Sequence, residues 1–132
     1  MGIKSTTSDK LWSQYIRTRD NWTCQRCQKK YVPPTNALHC SHFFSRGKWG
    51  VRFDEENCEA LCYGCHSHLG GNPIEHVNHK EFMLGSERLE KLRQKANKPL
   101  KSGEKKYFLS KEFRAKLRKK LKKVEEKWLN DK

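Results

Sequence analysis

Cys24-Gln25-Arg26-Cys27, then Leu38-His39-Cys40-Ser41-His42-Phe43, then Asn57, then Cys62-Tyr63-Gly64-Cys65-His66: this spaced run decides the fold. A Cys-x-x-Cys pair lets two thiolates meet one zinc from a tight knuckle, and here two such pairs stand 34 residues apart. Cys24, Cys27, Cys62 and Cys65 are therefore expected to close a structural Zn²⁺ site. Cys40 and Cys58 lie outside the knuckles and read as small core residues, with a zinc built from them and histidines as the lesser alternative. The His, Asn and His between and after the pairs suit a second task, an open metal position beside a general base.

Around this centre the pattern is mixed. Ser8 is placed to cap a helix running to about Asp20, with Leu11, Trp12, Tyr15 and Ile16 on one face. Pro33-Pro34 marks a loop. Leu38–Phe44 reads as a strand, Gly47–Gly50 as a turn and Val51–Phe53 as the returning strand. A helix is expected from Cys62 until Gly70-Gly71 stops it, and another opens at Asn72-Pro73 with Ile74, Val77 and Phe82 as a partial apolar face. Glu87–Lys98 reads as a polar helix and Lys101–Lys106 as a linker. Ser110 then caps a long helix to about Leu129, whose stripe is Phe113, Leu117, Leu121, Val124 and Trp128. The expected class is α+β. Residues 1–86 would form the metal-bearing domain and residues 87–132 a basic helical extension.

With 132 residues, only 34% of them hydrophobic, the chain builds one modest core, and such a core often needs a metal staple. Six cysteines without a secretory leader pattern favour metal over disulfides and a cytoplasmic location. No apolar stretch is long enough for a membrane span, so no membrane partner is expected. Residues 87–132 carry 18 basic and 7 acidic side chains, a net of +11, against +3 for residues 1–86. A tail of that charge is the footprint of a polyanion binder, with DNA or RNA the expected partner.

His42, Asn57 and the Cys62-x-x-Cys65-His66 run together resemble the HNH nuclease motif, whose ββα-metal fold pinches a hairpin and a helix around one divalent ion. The lead-in Arg19-Asp20-x-Trp22-x-Cys24-x-x-Cys27 is similar to HNH domains that carry a four-Cys zinc. His42-Phe43-x-Ser45-Arg46 and Arg52-Phe53-Asp54-x-x-Asn57-Cys58 look most like the phage recombination nucleases called NinG or Rap. The resemblance covers about residues 9–84. It implies an endonuclease that leaves 5′-phosphate and 3′-hydroxyl ends. His42 would be the base that activates water, Asn57 would orient His42 through its backbone and tighten the loop, and His66 would bind the catalytic ion. That ion would be Mg²⁺ or Mn²⁺, or one of Ni²⁺, Co²⁺ or Zn²⁺, since imidazole suits transition ions. For a phage-encoded chain the location would be the host cytoplasm.

One position departs from the motif. Many HNH proteins place Asp or His directly before the base as a second ligand, and this chain has Ser41. His39 and Asp54 are the substitutes considered beside Ser41 itself, with Glu55 and His68 as further ones, and His42 could instead ligate the ion. His76 and His79 match no ligand spacing. Arg46, Lys48 and Arg52 flank the strand turn as phosphate clamps, and Arg114, Arg118 and Lys122 supply cationic charge on the tail. No base-reading helix is evident, so little sequence specificity is expected, with branched DNA as one shape-selected substrate. Cutting a junction takes two active sites, and the Phe113–Trp128 stripe would serve a homodimer or fold back on its own domain. The competing class is a non-catalytic zinc-stabilised DNA- or RNA-binding protein that keeps the HNH fold.

Overall fold

The computed structural model describes residues 4–131. Its elements in chain order are α1 (Thr7–Arg19), β1 (Leu38–His42), α2 (Trp49–Arg52), a 3₁₀ turn (Glu55–Asn57) and β2 (Cys58–Cys62). They continue as α3 (Tyr63–Gly70), α4 (Pro73–Leu84), α5 (Ser86–Asn97), α6 (Glu104–Phe108) and α7 (Lys111–Asn130). The two strands pair antiparallel, with His39 opposite Leu61, Ser41 opposite Glu59 and His42 opposite Cys58. This is a small α+β domain, rich in helix.

Local chemistry explains the helix starts. Thr6, not Ser8, caps α1: its hydroxyl accepts the Asp9 N–H at 3.2 Å, and the Asp9 carboxylate accepts the Thr6 N–H at 2.8 Å. Ser8 sits inside the helix and its hydroxyl donates to the Phe108 carbonyl at 2.7 Å, tying α1 to α6. Cys62 caps α3 with its own sulfur, which accepts the Cys65 N–H at 3.4 Å. Ser110 caps α7 as the sequence indicates, accepting from Phe113 N–H at 3.1 Å. Gly85, at φ 82°, breaks α4 from α5 with a backbone that side chains rarely tolerate.

Several sequence expectations change. Val51–Phe53 is not a strand, since Trp49–Arg52 forms a helical turn and the returning strand is Cys58–Cys62. The cause is Arg52, which must turn inward to a buried partner. Ile74, Val77 and Phe82 do not form a buried face, and Phe82 is 86% exposed. Part of the expected linker belongs to α6.

Residues of α5 and α7 pack against the elements before them. Leu92 and Ala96 of α5 pack with Val51, while Leu117 and Leu121 of α7 pack with Trp12, Tyr15 and Ile16 of α1. The Phe113–Trp128 stripe therefore folds back on its own chain. Phe113 meets Phe53, Tyr107 and Phe108, and Trp128 reaches the cluster of Trp22, Cys24, Leu38 and Leu61. Leu117 and Leu121 are the buried centre of this packing, with Phe113, Val124 and Trp128 half-buried beside them.

Candidate functional site

The first centre is the thiol cluster. The ligand atoms of Cys24, Cys27, Cys62 and Cys65 lie within 4.8 Å of one another, and Cys27 Sγ is 3.8 Å from Cys62 Sγ. In each knuckle the first sulfur accepts a backbone N–H: Cys27 N–H donates to Cys24 at 3.5 Å and Cys65 N–H to Cys62 at 3.4 Å. Arg26 donates to Cys65 Sγ at 3.4 Å. These donors suit thiolates, and the four-sulfur set fits a closed tetrahedral site that can hold a structural zinc. Gln28, at φ 66°, turns the chain out of the first knuckle, and the Thr23–Lys30 bridge closes it. β2 leads directly into the second knuckle, so the site clips the α1–β1 segment to the start of α3.

The second centre is a cleft of about 630 Å³ whose lining includes His39, His42, His66, Arg46, Arg17 and Lys10. His39 and His42 stand on opposite faces of β1 because side chains alternate along a strand. Both reach one cleft, so it lies across the strand edge that β2 leaves unpaired. His66, from the first turns of α3, closes one side. Its Nδ1 is 2.9 Å from Nδ1 of His39. Burial lowers the His66 pKa, and the neighbouring His39 and His42 lower it further, so its ring is neutral at pH 7 with a lone pair available.

His42 is mostly buried and its ring is fixed. Nε2 lies 2.9 Å from the Arg52 carbonyl oxygen, which can only accept, so Nε2 carries the proton and Nδ1 keeps the lone pair. Burial pulls its pKa down, but contacts with Cys58 and the Arg52 carbonyl outweigh burial and raise it. It is therefore Arg52, not Asn57, whose backbone orients His42. Asn57 ties the intervening loop instead. Its Oδ1 accepts Phe44 N–H at 2.8 Å, its Nδ2 donates to the Phe44 and Val51 carbonyls at 3.0 Å each, and its own carbonyl accepts Phe43 N–H at 2.9 Å.

Other expected site residues fall elsewhere. Arg52 is fully buried and is no phosphate clamp: it donates to Asp9 Oδ1 at 2.9 Å and to Oδ2 at 2.5 Å, with Trp49 4.1 Å above its guanidinium. Asp54 is no ligand to this cleft, since it caps the 3₁₀ turn through Glu56 N–H and pairs with Lys95 at 2.9 Å. Ser41 is 2% exposed, opposite Glu59 and away from His42. His68 pairs with Glu75, His76 stacks edge-on to Phe43, and His79 meets Glu59 at 2.8 Å. Glu55 accepts from Tyr15 at 2.8 Å and from Lys120 at 3.1 Å. Lys48, Arg118 and Lys122 are exposed, Arg46 is half-buried within 3.9 Å of Asp9, and Arg114 donates to the Leu109 carbonyl at 2.7 Å.

One feature escapes a sequence reading, and a second is legible there only as the lesser zinc alternative. The Asp9–Arg52 pair joins residues 43 positions apart and has no local signal. Cys40, His42 and Cys58 place their ligand atoms within 4.8 Å of one another. Strand register would have revealed that cluster, since Cys58 pairs with His42 and Cys40 lies two residues away on the same face.

A family model described as the bacteriophage lambda NinG protein matches residues 4–127. The chain belongs to the NinG family. This places it with a phage protein of recombination-related function. No curated protein and no solved structure matches the chain. The NinG match spans the thiol cluster and most of α7. No described helix is long and apolar enough to cross a membrane.

Proposed function

We propose that this NinG-family chain is a metal-dependent DNA endonuclease of the HNH type. The observation that carries the reading is one cleft in which a tautomer-fixed His42 stands near a His39–His66 pair whose ring nitrogens are 2.9 Å apart. β1 supplies His39 and His42 and α3 supplies His66, an order of elements that supports a ββα-metal reading.

His39 and His66 would hold the divalent ion, with His39 standing in for the ligand that Ser41 cannot supply from its buried position. Two imidazole ligands fit Mn²⁺, Co²⁺, Ni²⁺ or Zn²⁺ better than Mg²⁺, which prefers oxygen ligands. The bound ion supplies Lewis-acid stabilisation of charge on the phosphate and the leaving oxygen. His42 Nδ1 accepts the proton of the attacking water, while Nε2–H stays on the Arg52 carbonyl and helps the ring carry the new charge. Arg46 at the cleft and the exposed Lys48, with Arg118 and Lys122 on the exposed side of α7, draw in the DNA backbone without reading bases.

Nicking of supercoiled plasmid against a metal panel tests this. Wild type should nick with Mn²⁺, Co²⁺ or Ni²⁺, and His66→Ala should lose that activity while keeping its zinc and its melting temperature. Tight DNA binding with no cutting by any metal would establish the non-catalytic alternative.

A further inference from the structure

Cys40 and Cys58 are the two cysteines that the zinc knuckles leave over. They face one another diagonally across the sheet, on the same side as His42. The two sulfurs and one imidazole nitrogen lie within 4.8 Å of one another, while the ligand atoms of a tetrahedral zinc sit roughly 3.5–3.8 Å apart. Small rotamer adjustments close that gap. The surroundings already serve a thiolate: Trp12 indole N–H donates to Cys58 Sγ at 3.3 Å. Buried sulfurs beside one another and an imidazole are a soft ligand set.

We propose that Cys40, His42 and Cys58 form a second metal site for a thiophilic ion such as Zn²⁺, and that filling it removes His42 from use as a base. Three protein ligands leave one position for water at the edge of the cleft. Binding releases the thiol protons that Cys40 and Cys58 carry to solvent. A neutral imidazole has one lone pair, so a ring that coordinates the ion has none left to take a proton from water. The second half of the proposal rests on the nuclease reading, and the first half does not.

The test uses full-length protein that holds one zinc in the knuckles, titrated with Co²⁺. Cobalt binds nitrogen and sulfur sites more weakly than zinc and leaves the knuckles filled. Wild type should develop a thiolate-to-cobalt charge-transfer band that saturates at one equivalent. Cys40→Ala and Cys58→Ala should lose the band, and His39→Ala should keep it. Circular dichroism confirms that Cys40→Ala, at a half-buried position, is folded. No band in wild type, or a band that survives in folded Cys40→Ala, overturns the site. In the nicking assay one added equivalent of Zn²⁺ should slow wild type at least tenfold and leave the Cys40→Ala rate at its own starting value. Equal inhibition of both proteins overturns the link to His42. A wild type that shows the band yet cuts no DNA with any metal supports the site and counts against the nuclease reading alone.

Discussion

Replacing Arg52 with Ala should unfold much of what holds the cleft. The guanidinium is fully buried, and it meets an Asp9 side chain that is itself 6% exposed. It also donates at 3.2 Å to the carbonyls of Arg46 and Lys4. Removing it takes the charged partner from Asp9, which keeps only its Thr6 donors and the more distant Arg46, takes a donor from two carbonyls, and leaves a cavity under Trp49. Breaking one partner of a buried pair costs about 3–5 kcal/mol. Against a typical domain stability of roughly 5–15 kcal/mol, that is a fifth or more. For a chain of this size it corresponds to a fall in Tm of roughly 10–20 °C. Circular-dichroism melts with zinc present measure it. The double variant Asp9→Leu/Arg52→Met should lose less than either single charge deletion, because no unpaired charge remains. A Tm change under roughly 3 °C, accompanied by weaker DNA binding, would show that Arg52 is a surface phosphate clamp and that the buried pair is wrong.

Zinc removal by a strong chelator should unfold the domain, as should Cys24→Ala or Cys62→Ala, since such a site supplies on the order of 10–16 kcal/mol in small zinc domains. Elemental analysis and far-UV circular dichroism check both. Asn57→Ala should cost roughly 3 kcal/mol or more, because Phe44 N–H and the Phe44 and Val51 carbonyls lose a buried partner, and denaturant melts read it. Tyr15 has its pKa raised to about 12, first by burial and then by its bond to Glu55. The stability it contributes is therefore full below pH 10 and lost as pH rises through about 12. Spectrophotometric titration should show a phenol ionising at about 12 that Tyr15→Phe removes; an unchanged titration curve in that variant would refute the assignment.

The parts of this fold written locally were legible in the sequence. Each Cys-x-x-Cys knuckle is set by four consecutive residues, and Ser110 announces α7 by its own capping hydroxyl. The apolar stripe of α7 was equally legible as a stripe. Its destination was not, because the same 3.6-residue period serves a partner helix or the chain's own α1. Val51-Arg52-Phe53 misled because a short apolar run says nothing of a charged partner at Asp9. The cleft was half legible. His42 and His66 follow from spacing, but the approach of His39 to His66 depends on how α3 crosses the hairpin. The orientation of His42 by Arg52 rather than Asn57 depends on the path of the loop that Asn57 ties. These are tertiary facts with no local residue pattern to carry them.

The central claim is that His42 takes a proton from the water that cuts DNA. Single-turnover nicking of supercoiled plasmid by wild type and His42→Ala, with Mn²⁺ and with zinc content matched, tests it most directly. Loss of a positioned general base should lower the rate by roughly 10²–10⁴ while leaving DNA affinity in place. His42→Ala protein that cuts within a fewfold of wild type would contradict it.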